Sequence, residues 1–333
     1  MSGAMAARLL HRRLARWRWW EGGVWGLAVL AFFALPGRHL LMNEIAILAL
    51  FALSLDLILG FAGILSLGHA AFFGLGAYAA GILTKYGLPD PLAGLAIAAG
   101  LAAIGGFLSS FLVLRGTDLT RLMVTLGVAL VMQEIANRMG WLTGGADGLQ
   151  GVAPGPLLGW EFDIFGTVAN AYSLAVLFVL FLAARRLVHA PFGWSLRAIR
   201  DNPLRAAAIG IPVRARLVAI YTLSAAYAGV AGALLAQTTQ FASLDVLAFH
   251  RSADVLLMLT IGGVGYLYGG LIGAVVFKVM QDVLADITPQ YWEFWIGLLL
   301  VLLVLGGRER LRLLPGLAAA RLPGRPPGEG VAG

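Results

Sequence analysis

Cysteine is absent from all 333 residues, which excludes disulfides, thiolate nucleophiles and cysteine-held metals. Charge is scarce: 12% of residues are Asp, Glu, Lys or Arg, against roughly 25% in an ordinary soluble domain. No G-x-x-x-x-G-K-[ST] loop occurs, so this chain is not expected to bind ATP by that route, and no His/Glu metal constellation is readable. No cofactor is expected on the chain itself. The missing charges are missing in blocks: residues 91–114, 166–184 and 294–307 contain none. A bilayer core about 30 Å thick takes roughly 20 such residues per helix. With 60% hydrophobic residues, the chain reads as all-α, a polytopic transmembrane helical bundle.

Most of the charge that is present is arginine, and it is clustered. Seventeen arginines lie within residues 8–18, 185–216 and 308–325. A net charge of +7 is compatible with nucleic-acid binding, but clusters flanking apolar runs mark cytoplasmic loops beside membrane lipid, and no nucleic acid is expected. Residues 1–20 form a basic cytoplasmic N-terminus. The apolar run Val24 to Leu35 resembles a signal peptide, yet Pro36-Gly37-Arg38 stands where a small-residue cleavage site is needed. An uncleaved first helix is the expectation.

Crossings are expected near 21–36, 42–60, 64–84, 91–114, 119–141 and 166–184, followed by a cytoplasmic loop at 185–216. The loop 142–165, acidic and free of Lys and Arg, is external. A span then covers about 217–238. Residues 252–286 begin and end outside as two short or broken helices meeting near Gly262 to Gly270, and 293–305 is the last crossing. That makes about ten membrane segments within a transmembrane domain of 21–307. The Pro- and Gly-rich tail, 308–333, is expected to be cytoplasmic and partly disordered.

Two glycine clusters, LSLGHAAFFGLGAY (65–78) and LTIGGVGYLYGGLIGA (259–274), stand out. Glycine in membrane helices allows close helix approach, and it also allows broken helices whose freed backbone lines a cavity. The expected solute path runs past Ser66, Gly68 and His69 in the first cluster and Gly262, Gly263 and Gly265 in the second. Ordinary small-residue packing is an equally good account of any one of these glycines. His69, an ionisable group at membrane depth, is either a pathway residue or a hydrogen-bonded structural one. Ser66 with His69 makes a poor hydrolase, since neither oxyanion donors nor a third orienting group is readable. Asp56 and Glu134 also fall in spans, and Lys278 with Asp282, four residues apart, is expected to pair on one helix face. In the loop, GWSLRAIRDNPLRAAAIGI (193–211) suits one or two short amphipathic helices at the membrane surface.

These segments, with TGGADGLQG (143–151), occur in an order and spacing that resemble the permeases of branched-chain amino acid ABC importers, the LivM type of the LivH/LivM pair. The likeness runs from about residue 40 to 310. It implies a heterodimer with a LivH-like permease, two cytoplasmic ATPase subunits that use the ATP, and a periplasmic solute-binding protein, in a bacterial inner membrane with both termini cytoplasmic. It further implies that loop 193–211 docks on an ATPase, with Arg197, Ala198, Arg200, Asp201 and Gly210 matching the pattern. Ala207 departs from it, since many members carry Glu there. Related permeases serve urea, short amides and other small acids, so the solute is a branched-chain amino acid or a similar small polar molecule. A passive channel or secondary transporter is the alternative, and it leaves the Arg-rich loop without a task.

Overall fold

The computed structural model describes residues 19–287, except 117 and 164, and a few positions between 291 and 301. The N-terminus up to Arg18, the tail 308–333 and most of the expected last crossing lie outside the described residues. By packing, Met1–Lys278 forms one compact unit and the chain from Val279 a second. Among the described residues there are helices and no strands. In chain order these are α1 (Trp19–Ala34), α2 (His39–Ala62), α3 (Ala70–Tyr86), α4 (Pro91–Val113) and α5 (Asp118–Arg138). A single turn, α6 (Gly140–Thr143), precedes α7 (Thr167–His189), the short α8 (Pro191–Asp201) and α9 (Pro203–Ala208), α10 (Val213–Thr239), α11 (Phe249–Gly262) and α12 (Leu267–Ile287).

The helix boundaries follow local chemistry. Pro91 and Pro203 sit at first-turn positions, where a missing N–H costs nothing. The side chains of Asp90 and Asn202 cap those turns, accepting from Leu92 N at 2.9 Å and Arg205 N at 3.0 Å. α2 closes at Gly63, whose left-handed backbone (φ 73°) returns its N–H to Leu59 O.

Among the described residues, five helices are long and apolar enough to cross a membrane, and a sixth span results if the pair α11 and α12, bent by 111°, is counted as one. The expected ten segments are therefore not confirmed. α1 has 16 residues, and α3 has 17 because the chain is still unwound at residues expected to open that span. α2 and α10 form the centre, with 83% and 72% of their apolar windows buried; α7, α4 and α5 surround them at 39%, 28% and 17%. α10 packs against α2, α3 and α4, and small residues set the distance. A methyl group at Gly229 would run into Ala102, and one at Gly76 into the backbone of Gly229.

α12 lies antiparallel to α2. Gly265 meets Gly60, Gly270 meets Ala52, and Lys278 meets Glu44. So α11 and α12 form a splayed hairpin broken at Gly263–Tyr266, close to the expected break.

Candidate functional site

Residues 63–69 leave α2 and stay unwound, with Ile64, Ser66, Gly68 and His69 buried, so their backbone groups need partners from elsewhere. Leu67 N–H donates to Thr125 Oγ1 at 3.2 Å and Ala70 N–H to Ser252 Oγ at 2.9 Å. Gly68 lies against α5 so closely that a side chain there would overlap the Thr125 carbonyl. The expected helix from 64 is thus displaced to Ala70, and His69 stands at its threshold. Ser66 and His69 do not pair. His69 Nε2 instead bonds Ser54 Oγ at 2.8 Å and lies 3.5 Å from Ser224 Oγ; Ser224 in turn donates to Ser54 O at 2.5 Å. The ring stacks on Phe51 at 5.6 Å and meets the edge of Phe72. His69 and Ser66 are both fully buried, and neither His69 Nδ1 nor Ser66 Oγ has a hydrogen-bond partner. No carboxylate orients this histidine, so the cluster is a buried polar junction of α2, α3 and α10 and not a hydrolytic dyad.

The second cluster opens the hairpin. Gly263 (φ 113°) and Gly265 (φ 81°) hold backbone conformations that other residues rarely adopt. Gly262 touches Gly269, which brings α11 and α12 into backbone contact just beyond the break. The two clusters come together not glycine on glycine but through α11, whose Ser252 holds the start of α3, and through α2, which both adjoin. Asp56 of α2 is fully buried and accepts the Gly265 N–H on Oδ1 at 2.7 Å. Nothing in the local sequence at 56 announces that partner. A cleft of about 380 Å³ lies beside the break, lined by Glu21, Arg185, Arg197, Gly262, Gly265 and Tyr266 among others. A second crevice, about 780 Å³, runs between α4 and α7 past Leu95, Ala99 and Val176 and is almost wholly apolar, which suits a hydrocarbon surface better than a polar solute.

α8 and α9 join two spans, as expected for 193–211. α8 buries Gly193, Leu196 and Ile199 against the bundle. The Arg197 guanidinium lies over Phe61 at 5.3 Å and over Trp194 at 5.0 Å. Burial there, and then the like charge of Arg200, pull its pKa below the ordinary value. Arg200 donates to Gly60 O at the end of α2. Both arginines make contacts back to this chain, although Arg200, like Asp201, is exposed, and Arg197 and Ala198 are half-buried. Gly210 has φ 85° and open space around it, so it is needed for backbone conformation and not for clearance. α9 and its exit present Leu204, 81% exposed, and Ile209, 74% exposed.

Elsewhere, Lys278, expected to pair with Asp282 along its own helix, makes an ion pair with Glu44 of α2 at 2.5 Å across the helix interface. Glu134 and Arg138 make the i,i+4 pair at the C-terminal end of α5. Arg185 and Glu21 make a buried pair at 2.9 Å that ties α1 to α7.

Apolar spans around two buried central helices, a glycine-broken hairpin and a pair of short helices between spans define a multi-pass membrane protein of the transporter class. The chain belongs to the branched-chain amino acid transport system permease component family, whose model matches residues 39–304. Over 281 residues it is 31% identical to the high-affinity branched-chain amino acid transport system permease protein LivM of Salmonella typhimurium, covering 76% of this chain and 64% of that one. The LivM protein of Escherichia coli K12 is 30% identical over 280 residues, with the same coverages. The autoinducer 2 import system permease protein LsrD of Escherichia coli K12 is 26% identical over 297 residues, 84% of this chain and 88% of that one. The chain therefore spans just under two thirds of the length of its LivM relatives and most of LsrD. No solved structure matches.

Proposed function

We propose that this chain is the membrane-spanning permease subunit of an ATP-driven ABC importer for branched-chain amino acids or a similar small polar solute. ATP is hydrolysed on two separate cytoplasmic ATPase subunits, a LivH-like permease completes the pore, and a periplasmic binding protein delivers the solute. The chain sits in a bacterial inner membrane with both termini cytoplasmic and residues 142–165 external. The observation that carries this reading is α8–α9: two short helices between spans that leave Leu204 and Ile209 uncovered beside Arg205. Apolar side chains displayed on a polar connection are suited to a protein groove. Family membership, and relatives named as permeases of import systems, support the same conclusion.

The test is co-purification with the ATPase subunits followed by solute uptake in proteoliposomes. Leu204→Glu with Ile209→Glu is expected to insert normally and to lose the ATPase. Normal association and undiminished ATP-driven uptake would reject the docking surface, and uptake without ATP in the parent protein would make it a channel. Sidedness is tested in the same preparation, since the chain has no cysteine: single cysteines at Gln150 and Leu204 should label from opposite sides.

A further inference from the structure

We infer that Arg200 and Asp56, joined at Gly60, form a strut that passes the position of α8 to the break in the α11–α12 hairpin, so that Arg200, an exposed residue, serves transport through the contacts it makes to this chain. The inference rests on the reading of α8–α9 as the docking segment and adds the route by which docking reaches the solute-handling part.

The direction of the side chain is the first ground. Arg200 leaves α8 toward α2, where its guanidinium donates to Gly60 O, a carbonyl in the last turn of α2. That turn presents unpaired carbonyls and the negative end of the helix dipole, so a cation is favoured there. The second ground is that three glycines make room for it. A methyl group on Gly63 would lie 2.9 Å from Arg200 Cγ, and one on Gly265 would lie 3.2 Å from Nη1. One on Gly60 would collide with Asp56 and with the Gly265 backbone, its N at 2.6 Å and Cα at 2.7 Å. Gly60, Gly63 and Gly265 come from two regions far apart in sequence, and all three border one arginine or its carboxylate neighbour.

Asp56 is the third ground. A carboxylate with no exposed surface is costly unless its charge is answered. Its Oδ1 holds the Gly265 N–H at 2.7 Å, and its Oδ2 has no hydrogen-bond partner. Arg200 reaches the same place: it donates to Gly60 O, one turn along α2 from Asp56, and its Nη1 borders Gly265, whose N–H Asp56 holds. The strut thus runs from α8 through Arg200 to Gly60 O, one turn beyond Asp56 on α2, and from Asp56 to the N–H of the break itself. A movement of α8 by a fraction of a side chain is delivered to Gly265, and the cleft beside Gly262, Gly265 and Tyr266 leaves the break space to yield. Glu44, one turn into α2, makes a different kind of link, since its partner Lys278 is reached without α8.

The assembled importer tests this without knowledge of the solute. A nitroxide is placed on Tyr266→Cys, an exposed position in the break, and its spectrum is compared before and after trapping with magnesium, ATP and vanadate. The parent complex is expected to show a change in label mobility. In Arg200→Gln the ATPase is expected to co-purify at parental stoichiometry while the spectral change shrinks by about tenfold, the size of a typical coupling between sites. Asp56→Asn, which keeps an oxygen for the Gly265 N–H but loses the charge, should shrink it as well, and Arg200→Lys, which keeps the charge, should recover part of it. A folding defect would remove the label signal and the ATPase together in Arg200→Gln and spare Arg200→Lys neither. Three results overturn the strut: an undiminished spectral change in both Arg200→Gln and Asp56→Asn, loss of the ATPase in Arg200→Gln while Arg200→Lys keeps it, or a break that does not respond in the parent complex. If Leu204→Glu with Ile209→Glu keeps its ATPase, the docking reading fails, whatever the label reports.

Discussion

The two glycine-rich segments have similar composition and different duties. In 65–78 the close neighbours of the glycines belong to other elements: Thr125 of α5 at Gly68, Gly229 of α10 at Gly76, and Leu247 of a 3-10 turn (Leu244–Leu247) at Gly74. This segment is welded into the bundle at three places. In 259–274 the glycines mostly face one another: Gly262 meets Gly269, and Gly273 meets Met258. The hairpin packs on itself beside its break and is tied to α2 through Gly270, Gly265, the Asp56 hydrogen bond and the Lys278–Glu44 pair, and to α3 through Ser252. Glycine that packs an element onto its neighbours fixes it; glycine that packs an element onto itself lets it move as a body.

Gly68→Leu should break the comparison most visibly. A leucine there has to displace the α5 backbone at Thr125, an overpacking cost of about 3 kcal/mol or more. The expected result is a large fall in the yield of monodisperse protein and in its melting temperature in detergent. A parental melting curve would show that the first segment is not a weld. Gly263→Ala is expected to be milder, because the only neighbour within reach is Tyr266 Cδ2 at 3.6 Å and the cost is backbone strain of about 1–3 kcal/mol. Its effect should be confined to the hairpin, seen as faster hydrogen exchange at 259–270 with α2 and α10 unchanged; exchange spread over the whole bundle would contradict a self-contained hairpin.

His69→Phe sharpens the contrast at the junction. The ring still stacks on Phe51, Ser54 keeps its bond to Phe51 O, and Ser224 keeps Ser54 O. Losing one buried hydrogen bond should cost about 1 kcal/mol, read as a modest shift in melting temperature. Uptake falling much further than that shift explains would put His69 on the solute path. Smallest should be Glu44→Gln, which removes a pair whose glutamate is 43% exposed; about 0.5–1 kcal/mol is expected, with full insertion and uptake near parental. A large transport defect in that variant would make the Glu44–Lys278 contact a second strut.

Much of the chain was legible in its residues. The expected spans 91–114, 166–184 and 217–238 correspond to Pro91–Val113, Thr167–His189 and Val213–Thr239, because apolar blocks of that length leave the backbone no other way to satisfy itself in hydrocarbon. The break near Gly262 was legible from glycine density. The delayed start of α3 was not, because it depends on Thr125 and Ser252 supplying acceptors from distant helices. The Glu44 pair of Lys278 was not legible for a related reason: sequence spacing points to i+4 on one helix, and the structure offers a glutamate across the interface. The contacts that Arg197 and Arg200 make back to this chain depend on the rings of Phe61 and Trp194 and on the glycine slot, and spacing alone describes neither.

By itself the sequence determined that the chain folds as apolar helices, roughly where they start and stop, and which connection carries the charge, since these are properties of consecutive residues. Only the tertiary structure decided which helices are central. α2 and α5 are both apolar enough to span, yet 83% of one window and 17% of the other is buried. In a membrane protein a lipid-facing side and a protein-facing side are equally apolar, so no amphipathic period separates them. The polar pairings were likewise left to the fold. Asp56 meets Gly265 across 209 positions of sequence and His69 meets Ser224 across 155, contacts that exist only once α2, α10 and the hairpin have packed.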